Sequence, residues 1–349
     1  MRSPKLSLKS RPGRWFLPAL CVVALSSNAA AIPKGQPQEE ALRFLNRVRE
    51  TFDINAAGAP AFLLQAHVVA APMERGKSQF DGTYTLTWAS PERWKEEVAF
   101  PGYRRVRVAS QGKLWTASDL PFLPVRVYEL GQLFDLRSQW TLQPGESPDL
   151  QKAKMRRGVR TQCVKIEADS DPGREVCADA STLLPVRMEM LLPSNPVRTS
   201  FEYADYQPGA GKQFPRVMRA FEGSNLVLEV RVNEMAPNLN PGESAFQPPP
   251  QAVSWDWCGN AEPARALEEA APRYPPAARA NRQQGVVSVY AVVGIDGSPH
   301  DLRVVRSAGH DFDAATLAAV ARWRFRPAMC GDKPIPFEKV IDVTYALRE

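Results

Sequence analysis

Histidine is scarce in this chain of 349 residues: His67, His300 and His310 are the whole supply. His67 falls inside the alternating apolar run "PAFLLQAHVVA", where it reads as a core or surface residue of a strand rather than a ligand. His300 and His310 are ten positions apart, too far for two metal ligands on one helix face as in H-E-x-x-H. Ser307, His310 and Asp311 or Asp313 come nearest to a nucleophile, a base and an orienting carboxylate. No strained nucleophile turn and no oxyanion site accompany them. "PGAGKQF" at Pro208–Phe214 ends like a phosphate loop, but Gln213 stands where Ser or Thr must follow Lys212. It reads as a hairpin loop. Asp169, Asp171 and Glu175 are carboxylates that keep a turn soluble. With no C-x-x-C and no histidine–cysteine cluster, zinc and dithiol chemistry drop out as well. The expectation is a protein that is no enzyme, with no catalytic residue, no cofactor and no metal.

The remaining reactive groups are cysteines, and their meaning depends on compartment. Residues 1–31 begin with Arg2, Lys5, Lys9, Arg11 and Arg14, continue through an apolar run from Trp15 to Leu25, and end on Ala29-Ala30-Ala31. The run is about half the roughly 20 residues a membrane-spanning helix needs. Residues 1–31 therefore read as a cleaved signal peptide, and the periplasm as the destination. Removing its five positive charges from the formal +6 leaves +1, so the basic balance does not argue for nucleic acid. Export also discounts the basic stretches "KAKMRRGVR" and "GYRRVRV" as nucleic-acid sites. Cys163, Cys177, Cys258 and Cys330 remain, an even number in an oxidising compartment. Cys163 and Cys177 lie in two strand-like runs joined by "SDPG", so a hairpin sets them opposite one another. Cys258 pairs with Cys330 by default.

Around these residues the chain supplies a large set of short strands. "PQEEALRFLNRVRETF" puts Ala41, Leu42, Leu45, Val48 and Phe52 at helical spacing. About ten strand-like runs follow up to residue 235, punctuated by Gly, Pro, Asp and Ser, with an ambiguous, helix-compatible stretch at Pro121–Leu136. An antiparallel sheet of that size must bury one face by curling or by accepting helices. "APNLNPGESAFQPPPQAVSWDW" is rich in Pro and Gly and reads as a spacer over residues 236–254. Beyond it, a short helix is expected at Pro276–Ala280. Val287, Val289, Ala291 and Val293 share one face of a hairpin turned at Ile295–Ser298. "FDAATLAAVARW" makes a helix with acidic residues at its positive end, and "IPFEKVIDVTYALRE" one more strand. Trp323, Phe325 and Pro327 are the core and boundary of this second part, since proline stops the helix there. Arg322, Arg324 and Arg326 keep their charged tips in water.

Several of these residues, taken together, resemble a known family. Tyr274-Pro275, Ala278, Gly285-Val286-Val287, Asp296-Gly297, the Ser307–Gly309 turn, Phe312-Asp313, Ala315 and Trp323-Arg324-Phe325-Arg326-Pro327-Ala328 resemble the C-terminal domain of TonB-family energy transducers, over about residues 262–348. The resemblance implies a small α/β unit of two strands, a helix and a third strand. It also implies contact with periplasmic segments of outer-membrane receptors, by adding a receptor strand to the sheet edge. On this chain that edge is expected near Ile335–Leu347, with Val340, Asp342, Thr344, Arg322, Arg324 and Arg326 as partner-binding candidates. The departures are the short N-terminal apolar run without histidine and the lack of a long tether. They favour fold and protein binding over force transmission.

More weakly, Phe80–Trp88, "PERW" at Pro91–Trp94, Gly112–Trp115 and "YADYQPGAGKQFPRVMRAFEG" resemble the LolA/LolB lipoprotein-carrier fold. That fold is a half-barrel lined with apolar side chains and covered by helices. It implies a cavity for acyl chains lined by Leu64, Val68, Leu86 and Trp88. The expected class is therefore α+β: an antiparallel half-barrel over 37–235, a linker over 236–254 and a TonB C-terminal-like domain over 255–349. The expected partner is an outer-membrane or periplasmic protein segment, with lipid or lipoprotein as the alternative and nucleic acid excluded. A membrane-anchored energy transducer is a further alternative should the leader stay attached. Oligomeric state is not legible.

Overall fold

Alternation of apolar and polar residues decides most of the first part of the chain, because it gives each strand one face to bury. The computed structural model describes residues 36–72, 78–168, 173–191, 198–237 and 241–347. The leader and the carboxylates Asp169 and Asp171 lie outside them. Helix α1 (Gln36–Phe52) buries Ala41, Leu45, Val48 and Phe52. Leu42 was expected on that stripe and is instead 44% exposed. It sits about 100° round the helix from Ala41, off the line through the other four.

The sheet strands are β1 (Phe62–Ala70), β2 (Phe80–Ser90), β3 (Arg93–Phe100), β4 (Tyr103–Ser110) and β5 (Lys113–Ser118). Helices α2 (Val125–Phe134) and α3 (Leu136–Gln139) resolve the ambiguous stretch as helical. Then follow β6 (Glu146–Leu150), β7 (Lys154–Arg156), β8 (Val159–Ala168), β9 (Gly173–Asp179), β10 (Pro185–Leu191), β11 (Thr199–Gly209), β12 (Lys212–Glu222) and β13 (Asn225–Pro237). Strands β1 to β5 form one antiparallel meander and β8 to β13 another. Pairing of β1 with β13 joins them, with Phe62 opposite Pro237. The sheet is open, running from β14 (Val253–Asp256) beside β5 to β6 beside β8. Helices α1 and α2 contact β12 and share its core, where Phe52 meets Trp140 edge-on and Tyr84 stacks on Phe134 with ring centroids 3.8 Å apart.

The proline-rich stretch behaves differently from the spacer expected over 236–254. Strand β13 runs on to Pro237, Phe246 packs with Val106 and Val108 in a small apolar cluster, and Val253–Asp256 forms the edge strand β14. Arg93 lies over the Phe246 ring, 4.6 Å from its centroid, and pairs with Glu243. Phe246 closes a short 3-10 turn, Glu243–Phe246, and that turn is what brings its ring onto Val106 and Val108.

The second part holds β15 (Arg265–Glu268), α4 (Pro276–Ala280), β16 (Gly285–Val293), β17 (Pro299–Arg306), α5 (His310–Val320), β18 (Arg324–Arg326), β19 (Ala328–Cys330), β20 (Lys333–Ile335) and β21 (Phe337–Tyr345). A three-stranded antiparallel sheet has the order β17-β16-β21, and two ribbons, β15-β18 and β19-β20, accompany it. The ribbons exceed the three strands expected, since three-residue strands are too short for alternation to be read. The chain as a whole is α+β. Val287, Val289, Ala291 and Val293 are fully buried with Phe312 and Val320 of α5 and with Ile341 and Val343 of β21.

Both disulfides are present. Cys163 and Cys177 face each other across β8 and β9 with Cα atoms 4.0 Å apart. Cys258 and Cys330 tie the segment after β14 to β19. Gly297 is fixed by two constraints at once. Its φ is +77°, and a Cβ there would lie 2.1 Å from the Phe325 carbonyl oxygen. The Phe325 N–H in turn donates to the Gly297 carbonyl at 2.9 Å. Replacing Gly297 with Ala should destabilise the protein by about 1–3 kcal/mol. Thermal melting measures this, and an unchanged melting temperature would disprove the constraint.

Candidate functional site: a sheet edge and the cleft beside it

The opposite faces of the three-stranded sheet have different fates because side chains alternate along each strand. One face meets α5. On the other, Ser288, Tyr290 and Val292 of β16 stand opposite Asp342, Val340 and Glu338 of β21. This second face turns to the first part of the chain: Tyr290 is buried in the large core, and Val292 and Val305 pack against it. Val340 is buried, Thr344 half-buried and Asp342 exposed, with Ser288 Oγ donating to the Asp342 carboxylate. The three β21 residues among the expected partner contacts therefore do not form one free surface. Strand β21 pairs with β16 on one side, and no described strand lies on its other side.

Trp323 and Phe325 are buried and Pro327 is half-buried. Helix α5 ends at Val320, three residues before Trp323, whose indole N–H donates to the Ala270 carbonyl at 3.1 Å. Phe325 returns to β15 through β18, and not to the main sheet. Arg322, Arg324 and Arg326 are exposed, and Arg326 lies 3.6 Å from Glu262. Ser307 donates to Asp313 at 2.6 Å, and Asp313 also accepts from the Ala308 N–H, so both act at the start of α5. His310 is solvent-exposed, and its nearest polar partner is Asp311 at 3.4 Å.

Four charges the sequence reading missed meet where the two parts join, two of them buried and two half-buried. Arg126 and Glu129 come from α2, Glu222 from the end of β12 and Arg306 from the end of β17. Arg126 lies 2.7 Å from both Glu129 and Glu222. Arg306 lies 2.9 Å from Glu129 and also pairs with Glu222. Burial pushes the Glu129 carboxyl up to about 7 against the pull of Arg126 and Arg306. Burial also opposes ionisation of Glu222, yet Arg306 and Arg126 outweigh it and hold that carboxyl below its ordinary value. An Arg–Glu pair three residues apart inside the apolar run "VRVYELGQLF" was the available signal. Nothing in the sequence linked it to Glu222 or Arg306.

Beside β21 opens a cleft of about 820 Å³. It is lined by Tyr84, Leu86, Trp88 and Trp94, by residues of α2, and by Ile335, Phe337 and Glu338. Of the four residues expected to line an acyl cavity, Leu86 and Trp88 line this cleft. Leu64 and Val68 are fully buried in the core and do not. The cleft wall carries charges in pairs. Arg107 donates to Glu96 at 2.6 Å, and Tyr84 donates to Glu96 at 3.1 Å. Burial and then the Glu96 charge push the Tyr84 hydroxyl well above its ordinary value. Glu338 accepts from Arg105 of β4 and from the Tyr290 hydroxyl. At the mouth, Lys113 and Lys333 share Asp256 at 2.6 and 2.5 Å and hold its carboxyl down to about 2. No helix among the described residues is long and apolar enough to cross a membrane.

Residues 270–347 match the family model described as the C-terminal part of the Gram-negative bacterial TonB protein, so the resemblance read from the sequence holds. Protein tonB2 of Pseudomonas aeruginosa is 40% identical over 68 residues, which is 19% of this chain and 25% of that protein. The chain thus spans about a quarter of the length of this curated relative. Among solved structures, a putative outer membrane lipoprotein-sorting protein domain from Vibrio parahaemolyticus overlays with a TM-score of 0.44 and 11% identity. It covers 60% of this chain and 97% of that one. A LolA superfamily protein from Nitrosomonas europaea gives 0.40 and 12%, covering 58% and 97%. The Pseudomonas aeruginosa MucA/MucB complex gives 0.27 and 14%, covering 74% and 82%. Overlays this loose say nothing of what the chain binds.

Arg306→Leu should leave Glu129 and Glu222 with one guanidinium and destabilise the protein by about 3–5 kcal/mol. Glu129, already raised by burial, would lose the pull of Arg306 and titrate still further above its unfolded value. The native state would hold more protons than the unfolded one, so stability would fall as pH rises. Melting at pH 5 and pH 8 checks the sign: the deficit relative to the unaltered protein should be larger at pH 8.

Proposed function

We propose that this chain is a periplasmic adaptor without catalytic activity that captures an extended segment of an outer-membrane or periplasmic protein. The carrying observation is that β21 lies at an end of its sheet, paired with β16 and with no other described strand. An unpaired strand edge is a template for another chain, and strand addition supplies main-chain hydrogen bonds as affinity. The match of residues 270–347 to the TonB C-terminal model supports the same reading. In this reading residues 1–31 are a cleaved signal peptide, 37–235 the first domain and 255–349 the partner-binding domain. Arg322, Arg324 and Arg326 lie in that domain as exposed cations for an acidic partner. No cofactor takes part.

Backbone N–H groups alternate sides along a strand, so one of Val343 and Thr344 directs its N–H away from β16. Proline at that position should lower recovery of the periplasmic partner about tenfold, the cost of one lost hydrogen bond, with melting as the check that the fold is kept. Full recovery with the fold intact would overturn strand addition.

A second reading, carriage of an acyl chain, is favoured by one observation: Leu86 and Trp88 face a cleft of about 820 Å³. Native mass spectrometry of protein taken from membranes should then show bound acyl species, and ligand-free protein would remove this reading. Retention of the leader would convert the adaptor into a membrane-anchored energy transducer.

A further inference from the structure

The cleft and the edge strand are neighbours by construction: Phe337 and Glu338 are the first residues of β21 and also line the cleft. A chain paired along β21, in either direction, therefore passes the cleft at one end. Sites at the junction of two parts, of a few hundred to about 1,000 Å³, are the usual setting for ligands.

Lining chemistry selects the class of occupant. Hydrocarbon fits poorly, because the pairs Glu96–Arg107 and Arg105–Glu338 would lose water without gaining a partner. Lys113 and Lys333 share the single carboxylate of Asp256, so the mouth keeps one surplus positive charge.

We propose that the cleft is an anchor site for polypeptide. It would take an apolar side chain against Trp88, Trp94 and Phe337 and an acidic residue at Lys113 and Lys333, both belonging to the segment that β21 pairs. This assignment rests on the strand-addition reading and adds to it the chemistry of the partner: an extended run that continues into an aromatic or aliphatic residue next to Asp or Glu. In the TonB-like stretch itself there is no such pocket to supply, since part of its lining belongs to β2 and β3 of the first part.

A display library of random dodecapeptides, selected on the whole exported chain with both disulfides intact, tests this. Selected peptides should carry an aromatic or aliphatic residue beside an acidic one. Their affinity should fall about tenfold or more for Lys333→Glu, as for loss of one desolvated charge pair, and several-fold for Trp88→Phe, which replaces the indole by a smaller phenyl ring and gives up part of the apolar contact. Changing the acidic residue of the peptide to Lys should restore binding to Lys333→Glu. Thermal melting confirms that each variant is folded. Peptides that bind Lys333→Glu as well as the unaltered protein, yet lose binding to the β21 proline variant, would sink the anchor and leave strand addition standing. Peptides that depend on Lys333 and Trp88 but ignore the proline would keep a peptide site in the cleft and overturn its joining to β21. Acyl chains that co-purify and that no selected peptide displaces, or a library with no enrichment over an unrelated protein, would overturn the proposal outright.

Discussion

Two arginines and two glutamates must stay neutralised where water is largely excluded, and the placement of the C-terminal sheet follows from that requirement. An isolated charge at such depth costs far more than a single interaction returns. Arg126, Glu129 and Glu222 belong to the first part of the chain and carry one net negative charge when both carboxyls are ionised. Arg306, at the end of β17, completes the set. The fit selects one position for β17 because a displaced sheet would leave Glu129 and Glu222 with a single guanidinium. An apolar cluster of similar volume often matches such a set in stability, so its contribution is to the choice of position more than to its strength.

Once β17 is set there, the remaining contacts fall into register along the same face. Tyr290 enters the large core, and Glu338 reaches Arg105. Trp257 donates to the Pro91 carbonyl and meets Trp94 edge-on. Asp256 gathers Lys113 and Lys333, and the Cys258–Cys330 bond closes the path covalently. The cleft is what this docking leaves unfilled. Its lining comes from β2 and β3 and from β20 and β21, so neither part makes it alone.

The C-terminal unit therefore has three surfaces with different roles. Helix α5 covers one face of its sheet, the first part of the chain covers the other, and the outer edge of β21 is left without a strand. Burial of Val340 belongs to the docked face, which is why side-chain alternation alone could not identify a partner surface. What an edge offers is backbone, and backbone carries no residue-type signature.

The sequence determined those features that depend on local pattern. Period-two alternation placed Val287, Val289, Ala291 and Val293 on one buried face, and helical spacing placed Ala41, Leu45, Val48 and Phe52 on another. The Cys163–Cys177 pairing followed from a hairpin, and Gly297 stood in a turn that its own residues announce. Tertiary structure decided everything that joins distant segments. Glu222 and Arg306 are 84 positions apart and Arg105 and Glu338 are 233 apart, distances over which no periodicity operates. The packing of Phe246 within a proline-rich stretch, and the division of Leu64, Val68, Leu86 and Trp88 between core and cleft, were decided there too. Alternation says that a side chain is turned inward; what it meets depends on which other surface arrives to cover it.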